Sequence, residues 1–492
     1  MKSMIVIGAG IAGLSTGCYA RMNGYDATIF EMHHKPGGLC TAWERQGFII
    51  DGCIHHLAGA GASSLLHRTW QELGAFGPED IKFFDELTRV EDLHGGSFTV
   101  YTDIQKLESQ MKQYWPKDAA VIEEYARAAQ LFTRVDLLGL AVLGPLKSAI
   151  RLLPLSSALH TWGRVNLKQF SERFTHPFLR RAFPSVQYNL PDIPMLIHLS
   201  FLAGCHRRIL GWPKGGALAF SHAIEKRYLN LGGNIGYRSK VKKILVDNDK
   251  AVGVRLEDDT EHRADIVVSC ADGHTTIFDM LDARYIDDQL RSYYEAAPDY
   301  LEMSVHVSFG TSRDMSGEPH SLVLLLDDPI RVMDQAFDRL SIEVFNFDSS
   351  LAPPGKWVVK VMLGSSYEYW NSLRRQENLY NAKKNEVADR VLEVLDTRFP
   401  GLAASVEMSD VATPLTTERY TGNWRAAQAW SPPDRGPGMK ALSRTLPGLD
   451  NLYMAGQWAE GMIGISTAAI SGRTTVQSIC RKHRKKFVTD LA

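Results

Sequence analysis

The chain has 492 residues, 45% of them apolar, enough for two or three buried cores, and its net charge of −1 gives no electrostatic case for nucleic-acid binding. Six scattered cysteines, Cys18, Cys40, Cys53, Cys205, Cys270 and Cys480, form no Cys-x-x-Cys pair, which argues against a structural zinc site or a disulfide framework and fits a reducing, cytoplasmic setting. No metal site is expected, and no uninterrupted apolar run reaches transmembrane length.

In chain order, Met4 to Ile7 reads as a buried strand and not as a signal peptide, since it runs straight into Gly8-Ala9-Gly10-Ile11-Ala12-Gly13. A helix and a second strand, Asp26 to Phe30, follow, and Glu31 and Met32 end the unit. This is a dinucleotide-binding pattern in its full strand–helix–strand setting. Gly8 permits the tight turn, Gly10 admits a diphosphate to the backbone, and Gly13 lets helix and strand approach. The diphosphate would meet free amides at the start of the helix, and Glu31 is placed to accept hydrogen bonds from an adenosine ribose. Gly37 and Gly38, after Pro36, predict a second turn with exposed amides, with Leu39 and Thr41 just beyond.

Residues 85–210 read as a mostly helical insert broken by prolines. Within it, residues 135–155 are leucine-rich and lightly charged. They suit helices lining a buried pocket, with a membrane interface as the alternative. Residues 211–285 return to nucleotide-domain character: Trp212-Pro-Lys-Gly-Gly216 before a helix, alternating runs around Val241 that suggest a meander, and Ile266-Val-Val-Ser269 as a buried parallel strand. Residues 286–440 mix strand-like runs, such as Met303–Phe309 and Lys356–Met362, with one helix predicted over Glu368–Arg398. Residues 441–492 hold a last strand, Leu452–Gly456, then Gln457 and a helix from Ile465. The nucleotide domain is therefore discontinuous (1–84, 211–285 and 441–492), with a pocket expected where its pieces meet the two inserts.

Together, Gly8–Gly13, Pro36–Thr41, Gly47-Phe-Ile-Ile-Asp-Gly52, Trp212–Gly216 and Leu452–Gly456 resemble the FAD-dependent phytoene desaturase, carotenoid isomerase and retinol saturase family. The resemblance runs through the three nucleotide-domain segments in order and implies an α/β fold: a glutathione-reductase-type FAD-binding Rossmann domain plus an α+β substrate domain. It implies FAD in an extended form and a long apolar polyene or isoprenoid that is desaturated, saturated or isomerised. It matches Val241 to the adenine contact, and it places Gln457 where relatives carry an acidic residue toward the ribitol. It puts Leu39 where the family often has arginine, so that contact is lost. It also sets the helix after Gly464 against the flavin pyrimidine, where the amides of Ile465 and Ser466 would face negative charge developing on reduction.

His55 and His56, which follow Asp51-Gly52-Cys53, are candidate acid–base groups beside the flavin, and Glu460 is a third candidate. A structural role is the plain alternative for the histidines, as is a helix-dipole role for Glu460. Tyr420, Trp424 and Trp430 would wall the pocket or pack between domains. No second strand-borne Gly-x-Gly-x-x-Gly is present, so electrons would pass to oxygen or a quinone, arrive from a separate reductase, or cycle within a redox-neutral reaction. The expected partner is a lipophilic small molecule, with contact at a membrane surface left open. An amine-oxidase-like flavoenzyme and a non-catalytic flavin-binding protein are the other readings.

Overall fold

The computed structural model describes residues 1–77, 79–296, 302–427, 443–459 and 463–489. Its organising element is a five-stranded parallel sheet in the spatial order Asn234–Gly236, Asp26–Phe30, Ser3–Ile7, Ile266–Ser269 and Leu452–Met454. In chain order the strands run 3-2-1-4-5, the doubly wound arrangement. The order reverses between Ser3–Ile7 and Ile266–Ser269, which opens a crevice at the carboxyl ends of the strands. The first crossover is the helix Ile11–Met22, buried from Ile11 through Ala20. Ser15 Oγ donates to Ala469 O of the helix Ile465–Lys482, and Gly17 makes room for Tyr228 of the helix Gly216–Asn230. The chain is thus an α/β protein with a discontinuous Rossmann-type domain.

The second unit is a seven-stranded mixed sheet, ordered Val406–Ala412, Glu302–Thr311, Trp357–Ser366, Gln335–Val344, Ser321–Val332, Glu86–Asp92 and Ser97–Tyr101. Five of its strands come from residues 302–412. The other two lie in the stretch read from sequence as a helical insert, and Glu86–Asp92 pairs in parallel with residues 322–325. The insert proper therefore begins at the helix Ile104–Tyr114, whose amino end is capped by Asp103 accepting from the Lys106 N–H. The single helix predicted over Glu368–Arg398 is two, Tyr367–Leu373 and Glu377–Arg398. The break at Gln376 turns Trp370 and Leu373 into the core without any glycine or proline to announce it.

The two faces of this sheet differ. Val305, Val307, Ile342, Val359 and Val361 point to one side, where Val387, Val391 and Leu395 of the helix Glu377–Arg398 cover them. On the other face Val358 joins the core of the nucleotide domain, while Val323 and Leu325 join that of the helical insert. Three bodies thus converge on one face of one sheet.

The leucine-rich stretch does not turn wholly inward. Leu140 and Leu155 are buried, but Leu146, Ile150 and Leu153 are 74%, 58% and 68% exposed, so a buried-pocket role fails for these three. Deeper in the insert, His198 is fully buried, accepting at Nε2 from the Tyr125 hydroxyl (2.6 Å) and donating from Nδ1 to Gln187 Oε1 (3.1 Å). Burial pushes its pKa from 6.5 down to about 3. Below pH 6.5 the unfolded imidazole binds a proton that the folded one refuses, so this residue costs stability as pH falls from 6.5 toward 3. His198→Phe is expected to lower the melting temperature at pH 7.5, by stranding Tyr125 and Gln187, yet to flatten its fall between pH 6.5 and 4; thermal unfolding followed across that range checks both.

A dinucleotide cleft and an aromatic cavity

The glycine-rich turn lies at the crevice where the strand order reverses. Gly8 has φ +94° and donates its N–H to Phe30 O (2.8 Å). A Cβ on Gly13 would sit 1.9 Å from Gly8 O, so only glycine fits there. Gly10 differs: its φ is −66°, and a Cβ would meet nothing nearer than 3.8 Å. The protein itself therefore does not require glycine at position 10. What its missing side chain keeps open is the space before the amides of Ile11, Ala12 and Gly13, which precede the first intrahelical bond, Leu14 N–H to Gly10 O. That vacancy beside free amides fits a diphosphate.

The neighbouring groups are consistent with such a ligand. Glu31 is buried, its Oε2 accepting from the Ala9 N–H (2.6 Å) and Oε1 from the His33 N–H (2.7 Å). Burial raises its pKa despite these bonds, and each oxygen retains a lone pair for a ribose hydroxyl. Met32 lies beside it, with its sulfur toward Gly422. Gly37 (φ +113°) and Gly38 (φ +59°) bring the second turn onto the first, through Gly37 N–H to Ala9 O (2.9 Å) and a bridge between Gly10 and Gly37. Leu39 is half-buried next to them, whereas the Thr41 hydroxyl reaches only Ala42 O at 3.4 Å. Val241 is buried at the start of its strand, in one core with Phe30.

On the opposite wall, Gly456 (φ +132°) donates to Ser471 Oγ (2.8 Å), and Gln457 opens a short turn to Ala459. Gly464 (φ +142°) precedes the helix Ile465–Lys482 and leaves the amides of Ile465, Ser466 and Thr467 ahead of its first intrahelical bond. Close packing explains Gly472, where a Cβ would lie 2.7 Å from Ala12 O, but not Gly464, where the nearest atom is 3.8 Å away. Glu460 and Trp430 lie outside the described residues.

A second concavity forms where the three bodies meet. Asp51 is fully buried and ties two of them together: its Oδ2 accepts from the Ala217 N–H (2.5 Å) at the start of the helix Gly216–Asn230, and its Oδ1 accepts from the Cys53 and Ile54 N–H groups (both 2.9 Å). Its carbonyl accepts from Lys360 Nζ (2.9 Å), a fully buried ammonium on the seven-stranded sheet. Lys360 stands directly across from Glu343 on one side and Ser308 on the other, and Glu343 in turn from Ser321. Lys360 Nζ lies 2.7 Å from Glu343 Oε2 as an ion pair, while Glu343 Oε1 takes a short hydrogen bond from His55 Nδ1. Burial alone would raise the Glu343 pKa, but the charges of His55 and Lys360 hold it far below the usual carboxylate range.

Around this triad, the cavity is walled by Phe84, Tyr188, Trp212, His320, Phe345 and Phe347, and His55 and His56 line it as well. Trp212 Nε1 is used by Asp348 Oδ2 (2.9 Å), and His56 Nδ1 is 3.1 Å from the Tyr188 hydroxyl. Burial pushes the imidazoles of His56 and His320 down to about 3 and 4, so both are neutral. The structure thus brings His55 and His56 to one cavity. It leaves out Tyr420, which packs edge-on against His33 near the surface, and Trp424, which stacks on His274 at 4.6 Å; neither walls the cavity. Glu343, Lys360, Tyr188 and His320 are functional candidates that sequence reading missed. Lys360 alone carried a signal, a single charge inside the strand Val358-Val-Lys-Val-Met362.

Comparison with known proteins adds three kinds of likeness. The family model for "Flavin containing amine oxidoreductase" matches residues 11–480. The chloroplastic prolycopene isomerase of Daucus carota is 26% identical over 488 residues, covering 95% of this chain and 78% of that protein. A lycopene-forming phytoene desaturase of Pseudescherichia vulneris is 25% identical over 449 residues, covering 84% and 86%. Among solved structures, an oxidoreductase from Methanosarcina mazei superposes with a TM-score of 0.61 at 20% identity, over 96% of this chain and all of that one. Since nothing but a ligand demands glycine at position 10, Gly10→Ala is expected to leave the melting temperature of the flavin-free chain unchanged while weakening FAD binding by about tenfold or more, because an added methyl displaces the diphosphate from its amide hydrogen bonds. Titration of the apoprotein with FAD, alongside thermal unfolding, reads both.

Proposed function

The chain belongs to the flavin containing amine oxidoreductase family, and from that premise we propose that it is an FAD-dependent oxidoreductase that desaturates, saturates or isomerises a long apolar polyene or isoprenoid. The observation that carries this reading is the aromatic cavity: within it, the carboxylate of Glu343 is already engaged by His55 and Lys360. An ammonium substrate would find no spare anion among the described residues there, whereas the aromatic lining is of the kind that suits an apolar molecule. The relatives named for polyene reactions, prolycopene isomerase and phytoene desaturase, support the same substrate class.

When bound, FAD supplies the hydride acceptor or donor. The chain's own residues do the rest. The amides after Gly10 and the Glu31 carboxylate hold diphosphate and ribose, and the amides of Ile465 and Ser466 stabilise negative charge at the pyrimidine end. The aromatic walls orient the chain and exclude water. His55, fixed through Nδ1 to Glu343, is left with Nε2 to exchange a proton with a substrate carbon. The purified protein is expected to be yellow, to carry a polyene extractable for mass spectrometry, and to lose about 10²-fold or more in turnover on that lipid when His55→Ala is introduced with FAD content intact. A colourless protein that rejects added FAD would falsify the assignment.

The exposed stripe Leu146, Ile150 and Leu153 supports peripheral docking to an anionic bilayer, the store of such substrates. Residues 137–171 carry Lys147, Arg151, Arg164 and Lys168 and no Asp or Glu, so the segment that holds the apolar stripe is itself basic. Among the described residues no helix is long and apolar enough to cross a membrane. Flotation with phosphatidylglycerol vesicles should capture the protein, phosphatidylcholine vesicles should capture much less, and the double change Ile150→Asp, Leu153→Asp should abolish capture while FAD content stays unchanged.

A further inference from the structure

Two thiols meet at the seam between the cofactor turn and the cavity. The hairpin of Ala42–Arg45 and Phe48–Asp51 pairs Ala42 with Asp51, and one step further the Gly52 N–H donates to Thr41 O (3.0 Å). The next residues in that register are Cys40 and Cys53. They pack in one apolar core, and their side chains are within hydrogen-bonding reach of each other. Residues facing one another across an antiparallel pair have Cα atoms roughly 4.5–5.5 Å apart, inside the span of about 4.4–6.8 Å that a disulfide bridges.

The two thiols are not alike. Cys40 is buried, its Sγ donates to Ala217 O (3.7 Å), and burial pushes its pKa well above the usual thiol value. Cys53 is half-buried, with its N–H on Asp51 Oδ1 (2.9 Å). A reagent arriving from solvent therefore meets Cys53 first, and Cys40 stands behind it as the resolving thiol, an arrangement suited to reversible oxidation. Their places in the chain matter too. Cys40 follows the Gly37-Gly38 turn at the diphosphate cleft, and Cys53 lies two residues before His55 at the cavity. A bond between the two sulfurs would staple these segments together and draw Cys40 Sγ off Ala217 O, whose N–H is held by Asp51.

We propose that Cys40 and Cys53 form a redox modification site, converted reversibly from dithiol to disulfide by exchange with a small-molecule disulfide. The Cys53 sulfur attacks one sulfur of the reagent, whose S–S bond breaks and whose other half leaves as a thiol carrying the Cys53 proton. Cys40 then displaces the half held on Cys53, forming the intramolecular S–S bond and releasing a second thiol with the Cys40 proton. Two protein thiols are oxidised and one reagent disulfide is reduced. In a reducing setting the dithiol is the resting form. The pair makes the join between cleft and cavity responsive to thiol balance, whatever substrate the cavity takes.

The test treats the flavin-loaded protein with hydroxyethyl disulfide, blocks remaining thiols with iodoacetamide in denaturant, and digests with trypsin without reduction. Cleavage after Arg45 separates the two sulfurs, Cys40 in Met22–Arg45 and Cys53 in Gln46–Arg68, and neither peptide holds another cysteine. Mass spectrometry should find the two peptides joined in most of the protein, two hydrogens lighter than their sum, and dithiothreitol should release them. Cys40→Ser should stop after the first exchange, with hydroxyethyl thiol held on Cys53. Cys53→Ser should leave Cys40 unreacted at a reagent concentration that oxidises the wild-type pair. Flavin content reports folding of both variants, and the wild-type result decides alone if a variant fails to fold. No reaction at either thiol, an adduct that persists on Cys53 of the wild-type protein, or reaction of Cys40 in Cys53→Ser as fast as in the wild type would overturn the pairing.

Discussion

An ammonium group with no access to water holds the molecule's centre together. Lys360 projects from the middle of the seven-stranded sheet into a space shared by three cores, and a charge in such a place persists only if its surroundings answer it. Two groups do. The Glu343 carboxylate on the adjacent strand supplies the counter-charge, and the carbonyl of Asp51 supplies a dipole from the nucleotide domain. Removing either would strand the ammonium, so Lys360 links how the sheet and the nucleotide domain are placed. The same constraint fixes His55, since the second oxygen of Glu343 is the partner of its Nδ1.

Asp51 extends this hold into the nucleotide domain. Its side chain accepts from the first turn of the helix Gly216–Asn230, and a Cβ at Gly216 would come within 2.3 Å of it. That helix packs through Tyr228 against Gly17 of the helix that begins at the glycine-rich turn. Cofactor cleft and aromatic cavity are thus joined by a short chain of close contacts in which glycines supply the room, and a shift at one end has few places to relax before it reaches the other.

What sequence revealed of this arrangement was what is local. The strand, the turn from Gly8 to Gly13, the helix and Glu31 form one continuous unit, and Gly8 and Gly13 each have a reason within a few residues of themselves, so spacing alone was enough. The strand-like runs after residue 302 were also legible, through alternation and β-branched residues. The cavity was not. Glu343, Lys360, His320 and Tyr188 come from four separated stretches, and their meeting depends on which strands lie side by side. The strands Glu86–Asp92 and Ser97–Tyr101 pair with each other as a local hairpin, but what joins them to the sheet is the strand Ser321–Val332, more than 200 residues away, so their place in it escaped notice for the same reason. Tyr420 and Trp424 show the limit from the other side: gathered in sequence, they left a pocket wall and interdomain packing equally open, and in the structure they pack against different neighbours, His33 and His274.

The line Ser308–Lys360–Glu343–Ser321 has a structural consequence besides its chemistry. Side chains alternate along a strand, so slippage of any one of these four by a single position would swing its polar member to the opposite face, among Val387, Val391 and Leu395. For the strand of Lys360 that misalignment would carry an ammonium into packed alkyl groups with no acceptor in reach. An all-valine strand could tolerate such an error, because its two faces look alike. The lysine thus acts as a proofreading mark for strand pairing, penalising every alignment that turns it to the opposite face before any ligand is bound.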